Sequence, residues 1–424
     1  MKKTTVPKRL CSFFLAALTV LSVTGTTVNA AATLNDARQN TPLYYDSLTT
    51  DEKNIYDRLR QGVMNNEAVI NTSVIKDADS YNRICELILY NDDLTFNLGG
   101  ISAETTGSHS SFTPTYAIDQ FTYSLMLDEM NNKAQKIAKK ALKIKDEYSR
   151  IEYIHDTIAK NTDYFDVDDP ESYIGYTHYA YGALVEGRAV CQGYSAAFAY
   201  VCRLANIQCI NVYGTSKGES HSWNKVLCNK KWYNVDLTWD DELSNFKDSI
   251  THKYFMLSDQ EFAKDHTAKT IAGTDIPADE SREYFAEHGL IAYDHKSALT
   301  LLETELTKKA KKGGLSATIS LSEDRTFLNF LKYIEYNDRT RFKNMLKNVK
   351  KASGAAIKTG SAWYFVDEER RTVTAVLVYK NAALSDYFNY PELVDEKSLE
   401  TYKKLGLKID IPEKKNENKE AEKK

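Results

Sequence analysis

The chain has little cysteine for its length, no basic surplus and no long apolar run beyond its first thirty residues. Each shortage closes off a class of protein. Six cysteines in 424 residues are too few for a disulfide scaffold. No two of them form a C-x-x-C pair, so a zinc site drawn from Cys191, Cys202, Cys209, Cys228 and His221 is not expected, and no cofactor is. Asp166, Asp168 and Asp169 lack the spacing and turn glycine of an EF-hand, which leaves a solvated loop around Pro170 rather than a calcium site. The formal charge of −4 has the wrong sign for a general nucleic-acid binder. There is no internal repeat.

The single apolar run has the form of an export signal. Lys2, Lys3, Lys8 and Arg9 make a basic head, Leu10–Val23 an apolar stretch, and Val28-Asn29-Ala30 a small-x-small cleavage site. The run is short for a membrane span. The expectation is a signal peptide over residues 1–30, cleaved near Ala30, and a secreted or cell-surface product with no membrane span. Removing four positive side chains takes the formal charge from −4 to −8. Cys85, Cys191, Cys202, Cys209 and Cys228 remain, and an odd number leaves at least one free thiol. Cys191 is expected to be that one. The other four read as small buried hydrophobes, although Cys209 and Cys228 would meet if their strands were neighbours.

A length of 424 residues predicts two to three domains. Residues 31–145 read as a helical and mixed region, 146–260 as a core, 275–385 as a small α+β module and 405–424 as a disordered charged tail. Thr49-x-x-Glu52 has the form of a capping box before Ile55, Tyr56, Leu59 and Val63 at helical spacing. A second helix is expected over Asp77–Tyr90, strands and loops over Gly99–Ser124, and one long helix over Leu127–Ala159 with a break near Lys145. In the C-terminal module, His295–Lys311 predicts a helix stopped by Gly313-Gly314, and Leu315–Leu321 a strand. Two helices follow over Glu323–Tyr336 and Arg339–Lys351, then a hairpin of Ala362–Val366 and Val373–Tyr379.

The chemistry concentrates between Ala189 and Trp239. Cys191 opens a helical pattern, and Ile207–Tyr213 predicts a strand. Ser222–Cys228 and Lys231–Val235 predict a hairpin turning at Asn229-Lys230. His221 takes the first position of a strand, after a turn, and Asp236 closes the next strand of the same hairpin, so their side chains are expected close together. A nucleophilic thiol needs a base, and the base needs a group to orient it. Cys191, His221 and Asp236 are the candidates for those roles. A helix N-terminus and a neighbouring imidazolium both favour the thiolate, Gly193 would let a substrate approach the backbone, and the Cys191 N–H would help hold an oxyanion. Trp223, Trp232 and Trp239 are candidates to wall the site.

The stretches YGALVEGRAVCQGYSAAFAYVCRLANIQC, HSWNKV and KWYNVDLTWDD resemble the transglutaminase-like superfamily of papain-type thiol enzymes, in its exported Gram-positive bacterial form. YIHDTIAKNTDY, from Tyr153 to Tyr164, is similar to the same family. The resemblance spans about Ile151 to Asp241, with a weaker likeness toward Tyr44. It implies an α+β fold with a papain-like core, in which a Cys-bearing helix packs on an antiparallel sheet. It implies Cys191 as nucleophile, His221 as base and Asp236 as orienting acid. An upstream side chain would complete the oxyanion hole, with His178, Tyr179 and Tyr181 as candidates. The implied activity is attack on an amide or peptide carbonyl of an extracellular or cell-wall protein through a thioester, resolved by water or by an amine. The alternative is a non-catalytic extracellular binding or scaffold protein on the same fold.

Overall fold

The computed structural model describes residues 45, 47–75, 77–90, 92–165, 175–241, 246–247, 250–269, 276–388, 394 and 396–409. The expected signal peptide, the acidic loop around Pro170 and the tail beyond residue 409 lie outside the described residues. The chain forms two compact units, one of Met1–Asp240 with Tyr254–Arg282, the other of Asp241–Lys253 with Glu283–Lys424. Among the described residues no helix is long and apolar enough to cross a membrane.

Helix α1 (Thr50–Met64) opens the first unit, and the capping box fixes its start. Thr49 Oγ1 accepts from Glu52 N at 3.3 Å, and Glu52 Oε2 accepts from Thr49 N at 2.9 Å. Its face of Ile55, Tyr56, Leu59 and Val63 is buried with Ile70 of β1 (Ile70–Ser73), with Ile84, Leu87 and Ile88 of α2 (Ala78–Tyr90), and with Leu98 and Phe112. The last two belong to β2 (Leu98–Thr106) and β3 (His109–Tyr116), in an antiparallel sheet of order β1-β3-β2.

One expectation is corrected at this point. Helix α3 (Gln120–Ala141) starts inside the stretch assigned to strands and loops, because Asp119 caps it by accepting from Phe121 N and Thr122 N. The break expected near Lys145 falls between the C-cap Leu142 of α3 and Asp146, the cap of the next helix. Asp146 accepts from Ser149 N at 2.8 Å and starts α4 (Glu147–Ala159).

A short parallel pair, β4 (Asp163–Tyr164) and β5 (Arg188–Ala189), leads into α5 (Cys191–Leu204). The antiparallel sheet against it has the order β10-β6-β7-β8-β9. Its strands are β6 (Cys209–Ser216), β7 (Glu219–Cys228), β8 (Lys231–Val235), β9 (Phe255–Leu257) and β10 (His266–Ala268). The fold is α+β, with the Cys-bearing helix packed on an antiparallel sheet as expected. Helix α5 also packs on α3 and α4, so it is buried on nearly all sides, as a central helix must be. Strand β7 begins at Glu219 and is buried from Ser222 to Val226 and again at Cys228. His221 is therefore its third residue rather than its first. Helix α5 covers the sheet on one side, and Ile210, Val212, Trp223, Tyr254, Leu257 and Phe262 form a core with Trp232 and Trp239 against it. Cys85, Cys202, Cys209 and Cys228 are buried and unbridged. The register sets Cys209 opposite Val226 and Cys228 opposite Lys231.

In the second unit a four-stranded sheet has the order β11-β12-β14-β13. Its elements are β11 (Ile291–Ala292), α6 (His295–Ala310), β12 (Ser316–Leu321), α7 (Asp324–Ser353), β13 (Trp363–Asp367) and β14 (Thr372–Val376). Non-helical backbone from Tyr336 to Arg339 interrupts α7, at the junction expected between two helices. Leu302, Leu306, Ile319, Phe330, Phe342 and Val373 fill one core. Phe246, Trp363, Val376, Tyr387 and Leu407 fill another, beside α8 (Glu396–Leu405). Of the tail expected over 405–424, the first residues belong to the fold: Leu407 is buried and Lys408 bridges to Ala383. The second unit takes in residues 241–253. Where the chain leaves and re-enters the first unit, Asp240 Oδ1 accepts from Tyr254 N at 2.7 Å and Asp236 N donates to Tyr254 O at 3.1 Å.

Candidate active site

Three local arrangements bring Cys191, His221 and Asp236 together. Cys191 is the first residue of α5, after Val190, whose side chain makes no cap. The first-turn N–H groups and the positive end of the helix therefore lie at the sulfur. The turn behind it needs a glycine. A Cβ on Gly193 would lie 2.3 Å from Thr177 O and 2.8 Å from Ala189 Cβ. His221 pairs across the sheet with Gly214. Asp236 follows β8 and caps the helical turn Leu237–Asp240, its Oδ1 accepting from Thr238 N at 2.9 Å and Trp239 N at 3.2 Å.

The side chains then link. Asp236 Oδ2 lies 2.7 Å from His221 Nε2, which leaves the other ring nitrogen for the Cys191 sulfur, and the thiol and the ring each act on the other's charge. Asp236 is fully buried, whereas Cys191 keeps partial exposure. Burial alone would raise the Cys191 thiol. The His221 imidazolium, with hydrogen bonds from the backbone and side chain of Ser222, reverses that and holds the thiol below its ordinary value. Burial also opposes a charge on His221, but the Asp236 carboxylate and the Cys191 sulfur raise it to about 10. Asp236 bears the same desolvation cost, and the charges and hydrogen bonds of His221 and His266 hold it far below the usual carboxylate range. The arrangement favours a thiolate–imidazolium pair steered by an ionised carboxylate.

Polar bonds lock the helix to the sheet around this pair. Ser195 Oγ on α5 lies 3.1 Å from Ser222 Oγ on β7, and Asn224 Nδ2 donates to Ser195 O at 2.9 Å. Trp223 and Trp239 flank the His221 ring at 6.3 and 5.7 Å between centroids. Trp232 is packed against the hydrophobic core behind them. The three upstream candidates separate. Tyr181 gives its hydroxyl to Glu129 Oε2 at 2.9 Å, and the Tyr179 ring packs on Phe96. His178 stands between Thr177 and Tyr179, whose carbonyls face Gly193, and burial pushes its ring toward the neutral form.

Two contacts were not expected from the sequence, although His155 lies in the YIHDTIAKNTDY stretch. His266 is a second imidazole on Asp236, with Nε2 3.1 Å from Oδ2. It lies in a stretch without any motif and reaches the site only through pairing of β10 with β6. His155 of α4 is buried with Nε2 3.1 Å from Asp240 Oδ2, four residues beyond Asp236. Among the described residues His221, Asp236 and His266 also form a group of metal-ligand type. The 2.7 Å His221–Asp236 contact is a hydrogen bond, closer than the roughly 3.3 Å that two ligands keep around a tetrahedral zinc.

Residues 134–237, which include Cys191, His221 and Asp236, match the family model of the transglutaminase-like superfamily. The chain carries a transglutaminase-like domain. Kyphoscoliosis peptidase from Homo sapiens is 36% identical over 93 residues, and that from Mus musculus 33% over 93 residues. Each match covers 19% of this chain and 14% of the relative, so the chain spans about one seventh of these curated relatives' length. Among solved structures, a TGase aligns at 16% identity and a TM-score of 0.25, over 40% of this chain and 50% of that one. The periplasmic domain of TgpA from Pseudomonas aeruginosa aligns at 15% identity and a TM-score of 0.22, over 32% of this chain and 55% of that one. His266 lies beyond the residues matched to the transglutaminase-like family model.

Proposed function

We propose that the chain is a secreted thiol enzyme acting on amide or peptide carbonyls of extracellular or cell-wall proteins. Cys191 is the nucleophile, His221 the acid and base, and Asp236 the group that orients His221. One observation carries this reading: a buried carboxylate lies 2.7 Å from the His221 ring, and the partly exposed thiol at the start of α5 is held below its ordinary value by that imidazolium. A binding module has no need of this arrangement.

The Cys191 sulfur adds to the carbonyl carbon. The oxyanion is held by the Cys191 N–H and, in this reading, by the neutral His178 ring. The C–N bond breaks as His221 gives its proton to the leaving nitrogen, and a thioester remains. Water or a primary amine then gives a proton to His221 and attacks the thioester, and the C–S bond breaks to restore the thiolate. Water makes the enzyme a peptidase or amidase, an amine makes it a transferase. The peptidase among the relatives favours neither outcome for this chain. The basic head and apolar run at residues 2–23, followed by the Val28–Ala30 site, support export.

The test incubates the purified protein with a glutamine-donor protein and a fluorescent primary amine. Fluorescence in the donor signals transfer, and ammonia or new peptide termini without fluorescence signal hydrolysis. Absence of all three in wild type, or equal activity in Cys191→Ala, refutes the reading. Iodoacetamide labelling near pH 6 separates enzyme from scaffold without a known substrate. A catalytic Cys191 outpaces a model thiol, whereas equal, slow labelling of all five thiols favours the scaffold.

A further inference from the structure

His266 occupies the first position of the edge strand β10 and is buried. Its Nε2 lies 3.1 Å from Asp236 Oδ2, the oxygen that also meets His221 Nε2. Its Nδ1 lies 2.7 Å from Asp265 Oδ1, and the Tyr254 hydroxyl donates to Asp265 Oδ2 at 2.6 Å. Phe262 and Trp223 hold the ring at centroid distances of 4.4 and 5.0 Å. The chain is built for this approach. Gly214 lies against β10 so closely that a Cβ there would fall 2.0 Å from Thr267 O. The register that follows sets His266 opposite Ser216, whose hydroxyl accepts from Trp239 Nε1 at 3.0 Å.

We propose that His266 is a positioning residue that shares the Asp236 carboxylate with His221 and so eases release of the proton His221 holds. The proposal rests on the thiol-enzyme reading above and deepens it. Asp236 needs no help from His266 for its aim, because its Oδ1 is pinned by two backbone N–H groups. What His266 supplies is a second donor to Oδ2. A carboxylate serving one donor holds it more strongly than a carboxylate serving two. An imidazolium bound too strongly is a poor acid for the leaving nitrogen. When His221 gives up its proton as the C–N bond breaks, the buried Asp236 charge still has a partner in His266, and an uncompensated buried charge is avoided. The ionisable groups that bear on the ring are Asp236 beyond β8, Asp265 beside it, His221 on β7 with Cys191 of α5 behind it, and Tyr254 before β9. The Lys217 ammonium lies 3.6 Å over Trp239 and 5.9 Å from the Tyr254 ring.

The test is the rate of Cys191 alkylation by iodoacetamide in the full chain, read by mass spectrometry of the peptide bearing Cys191. Wild type, His266→Phe and His266→Gln are compared between about pH 6 and pH 11, across the range in which His221 loses its proton. In His266→Phe, Asp236 serves His221 alone, and the alkaline inflection moves up by roughly one pH unit. His266→Gln keeps a neutral N–H donor and gives a smaller upward move. It also keeps the proposal testable if the Phe variant does not fold. A ring with only a structural role lowers the melting temperature of both variants and leaves the inflection in place. That result, or a downward move, overturns the proposal. Failure of the underlying reading looks different: wild-type Cys191 then reacts no faster than a model thiol near pH 6 and shows no alkaline inflection from His221.

Discussion

Gly193→Ala sets two familiar effects against each other at the floor of the site. Within a helix, alanine is favoured over glycine by about 0.5–1 kcal/mol, so propensity alone predicts a stabilised protein. The structure predicts the reverse. The new Cβ would lie 2.3 Å from Thr177 O, 2.8 Å from Ala189 Cβ and 3.1 Å from Tyr179 O. Backbone atoms cannot swing aside as a side-chain end can. Relief needs a shift of roughly 1 Å to reach van der Waals contact. Thr177 O is also the acceptor for Val190 N, the residue before Cys191, so the shift endangers that hydrogen bond, worth about 1 kcal/mol. Overpacking adds about 1–3 kcal/mol. The losses exceed the gain, and a net destabilisation of about 1–3 kcal/mol is expected. Function is expected to suffer more, because a displacement near 1 Å at a reacting centre lowers rates by up to about 100-fold. Calorimetry reads the stability of the first unit, and alkylation of Cys191 near pH 6 reads the site. Gly100→Ala is the control, since a Cβ there meets nothing within 4 Å. A Gly193→Ala protein as stable and as fast to alkylate as wild type would refute the packing of residues 177–179 against the start of α5.

Other substitutions probe separate joints. Asp236→Asn leaves His221 without its carboxylate partner, and rapid alkylation of Cys191 near pH 6 should fall at least about tenfold; an unchanged rate would detach the carboxylate from the site. Gly214→Ala drives a methyl group into Thr267 O. It should cost about 1–3 kcal/mol in urea unfolding and move the alkaline inflection in the same direction as His266→Phe. Burial would lower His155, but hydrogen bonds with Asp156 and Asp240 outweigh it and raise the ring from 6.5 to about 9. A raised histidine stabilises the fold fully below pH 6.5, and that contribution fades as pH climbs through about 9. Wild type should therefore lose on the order of 2–3 kcal/mol across that interval, and His155→Gln should lose much less over the same range in a pH series of melts.

The parts of the site joined by local sequence were legible. The helix start at Cys191, the hairpin about Asn229-Lys230 and the meeting of its ends at His221 and Asp236 follow from helical spacing, strand alternation and one turn. The Thr49–Glu52 cap is equally local. In the second unit the alternation of Leu315, Ala317, Ile319 and Leu321 marks β12, which starts at Ser316 and buries Ala317, Ile319 and Leu321 with the period of two that a strand imposes. The start of α3 rests on a single aspartate, Asp119, whose capping role does not show in hydrophobic periodicity, whereas the break before α4 was expected within a residue or two of its cap Asp146. His266 was illegible for a different reason. It joins Asp236 only because an edge strand closes on β6 over Gly214, and no spacing rule links residues 30 positions apart across that edge. Pairing between His155 and Asp240, 85 positions apart, has the same character.

The excursion of residues 241–253 governs how the molecule can be cut apart. Ending the chain at Arg282 would strip Phe246 of Trp363, Tyr387 and Phe388, its packing companions, and leave that ring uncovered on the remainder. A cleaner excision splices Asp240 toward Tyr254, whose ends a 2.7 Å bond already clasps, with a short glycine bridge replacing the detour.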